Sequence, residues 1–203
     1  MLEKFIGLLA IWIMGVISSM GYGGIVLLMA IESACIPLPS EIIMPFAGYL
    51  VFKGEMVLWV VAFMGALGCV LGSIPAYYVG KTGGRKLAEK YGRFVLISKK
   101  DLKMADDWFK NYGEIIIFIG RLLPAVRTFI ALPAGIARMN MTKFIVYTFV
   151  GSLIWCYLLA LAGFKMGENW ESLKVYFHEF HYVIAAGGAL FVAWYLRRHF
   201  KNN

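Results

Sequence analysis

Charged residues are scarce in this chain. Asp, Glu, Lys and Arg make up only 16% of the 203 residues, whereas 61% are hydrophobic, and the mean hydropathy is +0.72. Soluble domains carry about 25% charged residues, so lipid must surround most of this chain. A helix that spans a bilayer needs about 20 apolar residues. The length therefore predicts one membrane domain, residues 1–203, with a handful of passes.

Cysteine and histidine are also rare. Cys35, Cys69 and Cys156 lie in apolar surroundings without metal-ligand spacing, so we interpret them as packing residues and predict neither a disulfide framework nor a metal site. Lipid-phosphate phosphatases are also small polytopic proteins, but such chemistry needs a nucleophile with a base near the membrane surface. All three histidines follow residue 138, so they lie outside the apolar stretches that contain charged residues. We therefore expect no cofactor and no enzymatic activity.

Positive charge is concentrated in one stretch. The net charge is +8, and residues 81–110 hold nine Lys and Arg against four Asp and Glu. Because Lys and Arg are enriched in cytoplasmic loops, membrane topology explains this stretch without a nucleic-acid partner. We predict that residues 80–112 form a cytoplasmic, basic amphipathic segment. A C-terminal span at 181–197 ends in Arg197-Arg198, so both termini are expected in the cytoplasm.

Several segments are apolar enough to cross a bilayer. Residues 56–79 and 142–166 predict two uninterrupted spans. Residues 5–31 are apolar throughout but contain Gly21-Tyr22-Gly23-Gly24, which is compatible with one kinked span or with two helices. With the C-terminal span, the pattern predicts an all-α polytopic protein with about four transmembrane helices.

Two further apolar stretches, residues 32–50 and 114–138, contain charges and prolines. Interior prolines remove helical hydrogen bonds, and non-helical backbone is tolerated at membrane depth only when protein or a wet cavity surrounds it. Each stretch therefore predicts a re-entrant helical hairpin. The residues expected to shape these hairpins are Pro37, Pro39, Pro45 and Gly48 in the first, and Pro124, Pro133 and Gly135 in the second.

The two hairpins match each other in sequence. The spacing from Pro37 to Gly48 equals that from Pro124 to Gly135, and each hairpin precedes a span with a Phe-x-Gly-x-Leu pattern. This similarity indicates a duplication with repeat one at 32–79 and repeat two at 114–166. Since one membrane crossing separates them, the hairpins would enter from opposite sides as an inverted repeat. Alternating-access carriers use this arrangement and hold their substrate near the midplane.

Four charged residues lie in these hairpins: Glu32, Glu41, Arg121 and Arg127. A charge at the centre of a membrane helix costs roughly 2.5–3.5 kcal/mol, so the four must share a polar cavity or pair with one another. One interpretation is a structural ion-pair network. The other is a binding site in which the arginines bind phosphate oxygens and the glutamates also carry protons, because burial favours the neutral carboxyl and a nearby arginine the charged one.

The same residues lie in two recognisable motifs. The first motif is Glu32-Ser33-Ala34-Cys35-Ile36-Pro37-Leu38-Pro39-Ser40-Glu41 followed by Ala47-Gly48. The second includes Gly120-Arg121-Leu122-Leu123-Pro124-Ala125-Val126-Arg127-Thr128, Ala134-Gly135 and Gly151 to Trp155. With these motifs the chain resembles the DedA (VTT-domain) membrane proteins over roughly residues 25–165. Many relatives carry an acidic residue after the glycine at position 72, where this chain has Ser73.

The resemblance implies opposed re-entrant hairpins, essential acidic and arginine residues at the four charged positions, and lipid translocation across the bacterial cytoplasmic membrane. Members are linked to undecaprenyl phosphate, and others to phosphatidylethanolamine. We expect a translocase for a phosphate-bearing lipid, with undecaprenyl phosphate as the first candidate and coupling to protons. A phosphatidylethanolamine flippase or scramblase and a proton-coupled exporter remain alternatives. The small size favours a homodimer.

Overall fold

The computed structural model describes residues 2–36, 38–95 and 115–167, and all regular structure in these ranges is helical. The helices are α1 (Leu2–Met20), α2 (Tyr22–Ser33), α3 (Ser40–Phe52), α4 (Leu58–Val95), α5 (Ile115–Arg121), α6 (Pro124–Arg127), α7 (Ala131–Ile136) and α8 (Met141–Lys165). The prediction of a helical protein is confirmed for these residues. Pro37, residues 96–112 and the predicted C-terminal span at 181–197 lie outside them.

The first apolar segment forms two helices rather than one kinked span. Gly21 separates α1 from α2 with φ +58° and ψ −132°, a conformation that costs a side-chain-bearing residue much more than glycine. Gly24 then allows close packing, since a Cβ there would lie 2.7 Å from the carbonyl oxygen of Val16. The chain thus turns back on itself between α1 and α2.

The first charged and proline-containing stretch is broken where the prolines predict. Helix α2 ends at Ser33, Cys35 has a left-handed φ of 67°, and α3 begins after Pro39. The first arm starts at Tyr22, ahead of the predicted boundary at residue 32. Glu32 therefore lies in the last turn of α2, and Glu41 lies in the first turn of α3.

The second such stretch divides into three short helices. Helix α5 ends at Arg121, α6 is a four-residue helix with Pro124 near its start, and α7 contains Pro133 and Gly135. Because proline fixes φ and lacks an N–H group, it is well suited to the first turn of a helix. The chain thus changes direction near Pro124, and this bend lies between Arg121 and Arg127.

Within the described residues, two helices are long and apolar enough to cross a bilayer. These segments are Leu58–Thr82 in α4 and Met141–Lys165 in α8, in agreement with the predicted spans. Helix α4 continues beyond the predicted end at residue 79 to Val95, within the basic segment. Asn140 caps α8, and its side-chain oxygen accepts from the backbone N–H groups of Thr142 and Lys143 at 3.0 and 3.3 Å.

Glycines allow the hairpin arms to pack closely on the long helices. A Cβ at Gly48 of α3 would collide with the carbonyl oxygen of Ala160, and one at Gly163 of α8 with that of Pro45. Helix α3 therefore lies against α8, and its backbone is in contact with the backbone of the span.

An equivalent pair of contacts joins α7 to α4. A Cβ at Gly135 would collide with the carbonyl oxygen of Tyr77, and one at Gly80 with that of Leu132. The α3 positions 45 and 48 correspond to the α7 positions 132 and 135 with one constant offset in sequence. Each hairpin arm thus packs on the long helix that follows the other hairpin.

Candidate anion-binding site

Arg127 forms an ion pair inside the helix bundle. Its Nη2 donates to Glu32 Oε2 at 2.9 Å, and both residues are almost fully buried, with 1% and 3% exposure. The same nitrogen lies 3.5 Å from Cys69 Sγ, and the guanidinium carbon is 5.6 Å from the centre of the Trp155 ring. The segment α5–α7 thus places the guanidinium of Arg127 between the end of α2 and the long helices α4 and α8.

Arg121 is buried without a carboxylate partner among the described residues. It is 1% exposed, and its Nη2 donates to the hydroxyl oxygen of Ser73 at 2.6 Å. That hydroxyl in turn donates to the carbonyl oxygen of Cys69. Ser73 is neutral, so its contact orients the guanidinium but does not neutralise the charge of Arg121.

Several donors around these two arginines have no hydrogen-bond partner within the described part of the chain. They are Nε and Nη1 of Arg121, Nη1 of Arg127, and the buried polar atoms of Thr148, Ser152 and Trp155. Buried polar groups are nearly always paired in proteins, and each exception requires an explanation. Here the unpaired groups belong to the two buried arginines and to α8, the helix that contacts both of them, as expected for a site that receives an anionic ligand.

Helix α8 lies directly against this cluster. A Cβ at Gly151 would lie 2.8 Å from Arg121 Cβ, so the absence of a side chain allows the arginine stem to pack on the helix. One helical turn further on, the Trp155 ring faces Arg127. Both arginines therefore contact the same side of α8.

Glu41 occupies a different environment from Glu32. It is half-buried, and its Oε2 accepts from the Ser40 hydroxyl at 3.3 Å. It interacts electrostatically with Glu32 and Arg127 but forms no ion pair with an arginine in the described residues. Of the four charged residues predicted as a site, Glu32 and Arg127 are thus in direct contact, Arg121 lies deep beside Ser73, and Glu41 lies nearby.

Two of the three cysteines, Cys69 and Cys35, contact residues of the second charged stretch. Cys69 and Cys156 are fully buried, and Cys69 contacts Arg127. Cys35 Sγ lies 3.6 Å from the carbonyl oxygen of Thr128, which joins the breaks of the two hairpins. No group of three or more potential metal ligands occurs within the described residues.

Sequence reasoning missed three polar residues of α8: Thr148, Ser152 and Trp155. They recur at helical spacing in a span that is otherwise apolar, and this periodicity was the available signal. Ser73 was noted only as a departure from its relatives, and its contact with Arg121 depends on the packing of α4 against hairpin two.

The class of protein follows from these features together with its relatives. Apolar helices of spanning length, interrupted apolar helices and buried arginines are typical of multi-pass helical membrane proteins. The VTT domain matches residues 38–165. The chain therefore belongs to the VTT-domain family, which confirms the predicted DedA relationship.

Relatives are found among bacterial membrane proteins. The chain is 40% identical to the uncharacterized membrane protein YkoX of Bacillus subtilis, over 76% of this chain and 68% of that protein. It is 35% identical to undecaprenyl phosphate transporter A of Bacillus subtilis, over 78% of each. The identity to undecaprenyl phosphate transporter A of Staphylococcus aureus is 32%, over 81% of this chain and 83% of the relative. No solved structure matches the chain.

Proposed function

We propose that this protein translocates a phosphate-bearing lipid, with undecaprenyl phosphate as the principal candidate, across the bacterial cytoplasmic membrane. The observation that carries the proposal is the buried guanidinium of Arg121, which has no carboxylate partner among the described residues. Two relatives named undecaprenyl phosphate transporter A support the choice of lipid.

The balance of charge at the site favours an anionic substrate. Two guanidinium groups are buried, and one carboxylate is hydrogen-bonded to one of them. An unpaired charge inside a protein is expensive, so an occupant that brings negative charge is strongly favoured. A phosphate suits this site because arginine binds it through paired, charge-assisted hydrogen bonds. Glu41 lies nearby but forms no ion pair with either arginine in the described residues, so a small cation would instead meet the unpaired guanidinium of Arg121.

We further propose that the helical hairpins α2–α3 and α5–α7 are re-entrant and oppositely oriented, and that they open the two repeats. Repeat two is proposed at 114–166, and repeat one at 32–79 is extended to include α2 from Tyr22. The packing of each hairpin on the long helix that follows the other hairpin supports this arrangement. Gly48 of α3 lies against Ala160 of α8, and Gly135 of α7 lies against Tyr77 of α4. Such contacts are expected when two copies of one unit are related by a pseudo-two-fold axis. The cytoplasmic location of residues 80–112 and of both termini, and a homodimer, remain predictions.

Glu32 is the proposed proton-coupling residue, and Glu41 is proposed to assist it. Glu32 competes with substrate for Arg127, because both offer negatively charged oxygens to the same guanidinium. Protonation of Glu32 from the outer side would release Arg127 for phosphate, and deprotonation on the inner side would restore the ion pair and expel the lipid. In this scheme the carboxyl and the phosphate occupy Arg127 alternately.

Lipid accessibility in proteoliposomes tests the function. Purified protein is reconstituted with undecaprenyl phosphate or phosphatidylethanolamine, and the fraction of headgroups accessible from outside is followed with and without a pH gradient. We expect wild type to accelerate crossing of undecaprenyl phosphate and Arg121→Gln to match protein-free vesicles. Phosphate release is measured in parallel, because it would indicate an enzyme instead.

The alternatives give different results in the same assay. Faster crossing of phosphatidylethanolamine alone would assign a flippase or scramblase for that lipid. If neither lipid crosses faster than in protein-free vesicles, under either gradient, the translocase proposal fails and a proton-coupled exporter becomes the better hypothesis. Transport that ignores the pH gradient would eliminate proton coupling but not the role of the arginines. Lys53→Gln, outside the site, is the control for a general effect of charge removal.

A further inference from the structure

Helix α8 has a polar face directed into the bundle. Thr148, Gly151, Ser152 and Trp155 follow a spacing of three to four residues and therefore lie on one face of the helix. Thr148 and Ser152 are completely buried, with at most 1% exposure. Large apolar side chains cover an exposed face of the same helix: Val146, Val150, Ile154 and Leu158.

This polar face reaches both arginines. Gly151 packs against the stem of Arg121, and the Trp155 ring lies beside the guanidinium of Arg127. Ser152 lies between these two contacts along the helix, and Thr148 lies one turn before Ser152. A ligand that binds both arginines would therefore lie next to the α8 side chains.

The polar atoms on this face have no partner in the described residues. Thr148 Oγ1, Ser152 Oγ and Trp155 Nε1 are buried and form no hydrogen bond there. Hydroxyl groups in apolar helices ordinarily donate to the carbonyl oxygen four residues earlier, as Ser73 does to Cys69. Thr148 and Ser152 do not use this local solution, so their hydroxyl groups remain available to another acceptor.

We propose that Thr148, Ser152 and Trp155 form a second, neutral half of the headgroup site and donate hydrogen bonds to the phosphoryl oxygens of a phosphomonoester. This inference rests on the proposed function and extends it to residues on a different helix. The arginines supply charge, and α8 supplies additional donors that fix the position of the phosphate.

The number of donors favours a phosphomonoester over a phosphodiester. Arg121 leaves Nε and Nη1 free, Arg127 leaves Nη1 free, and each of the three α8 side chains offers one hydrogen. A terminal phosphate presents three non-bridging oxygens, whereas a diester presents two and carries a second substituent. The monoester therefore satisfies more of these buried donors and fits a closed, positively charged site better.

Conservative substitutions test each donor. Thr148→Val and Trp155→Phe preserve most of the side-chain volume, and Ser152→Ala removes one oxygen. The dissociation constant of detergent-solubilised protein is measured for farnesyl phosphate, inorganic phosphate and phosphatidylethanolamine. A hydrogen bond to a charged group is worth roughly a factor of ten or more in affinity. We expect each variant to bind farnesyl phosphate about tenfold more weakly. Thr148→Val and Ser152→Ala should unfold at an unchanged or higher temperature, since an unpaired buried donor has been removed. Trp155→Phe also shortens a ring that packs beside Arg127, so it is compared by affinity alone.

Matched controls remove the same groups elsewhere. Thr82→Val deletes an exposed hydroxyl that donates to the Tyr78 carbonyl oxygen, and Trp59→Phe changes an exposed tryptophan; neither should alter the affinity.

If the three α8 variants bind farnesyl phosphate as wild type does, the inference is overturned and the proposed function stands. For Thr148→Val and Ser152→Ala, a loss of affinity accompanied by a lower unfolding temperature also overturns it, because that result indicates structural partners. If wild type binds no phosphate compound, the proposed function fails, and the inference fails with it. Equal affinity of wild type for phosphatidylethanolamine would refute the monoester preference.

Discussion

The exchange Glu32→Gln separates the two effects of the buried ion pair. Glutamine retains an oxygen that can accept from Arg127 Nη2, now 2.9 Å from the carboxylate, but it carries no charge. Breaking a buried pair costs about 3–5 kcal/mol. Because one hydrogen bond survives, we expect a loss near the lower limit, about 3 kcal/mol in the free energy of unfolding.

The same exchange is expected to strengthen ligand binding. In wild type an incoming phosphate must displace Glu32 from Arg127, whereas in the variant both guanidinium groups are free of carboxylate. Two unit charges about 4 Å apart interact by about 4 kcal/mol at an effective dielectric constant of 20. The stabilisation by a polyprenyl phosphate should therefore be larger in the variant, by up to about 3 kcal/mol.

Thermal unfolding in detergent, with and without farnesyl phosphate, measures both effects. For a protein of this size 1 kcal/mol corresponds to roughly 2–4 °C. We expect Glu32→Gln to unfold about 6–12 °C below wild type without ligand and to recover most of the difference with it. Glu55→Gln is the control, because Glu55 is exposed and forms no ion pair in the described residues. A ligand-induced shift no larger than that of wild type would refute the competition between Glu32 and phosphate.

Three further predictions concern the arginines and the glycine contacts. Arg121→Gln removes at least two charge-assisted donors and should reduce lipid crossing at least about 100-fold. The unfolding temperature should not fall, because the removed charge has no carboxylate partner in the described residues; clear destabilisation would contradict this. Arg127→Gln should also lose about 3–5 kcal/mol of stability, since Glu32 becomes unpaired, and adding Glu32→Gln should restore most of it in the same unfolding assay. Gly48→Ala should lose at least about 1–3 kcal/mol, because its Cβ meets the carbonyl oxygen of Ala160. Gly15→Ala, with nothing within 4 Å, should be neutral or slightly stabilising, and equal losses would disprove the contact argument.

Local sequence patterns were sufficient to predict the main elements. Apolar length defined the spans at Leu58–Thr82 and Met141–Lys165. The prolines marked the break before α3 and the start of α6, because proline acts on its immediate backbone wherever the rest of the chain lies. The cost of burying charge in lipid identified Glu32 and Arg127 as site candidates before any contact was known.

Other features depend on contacts between distant parts of the chain. The sequence left open whether residues 5–31 form one span or two helices, and the backbone conformation of Gly21 decided it. Composition could not distinguish the paired Arg127 from Arg121, whose neighbour is Ser73 on α4. The polar side chains of α8 become candidates for the binding site only because Gly151 packs against Arg121 in the folded protein. Hydropathy and backbone preference act within a few residues, whereas the pairing of buried charges is determined by which helices pack together.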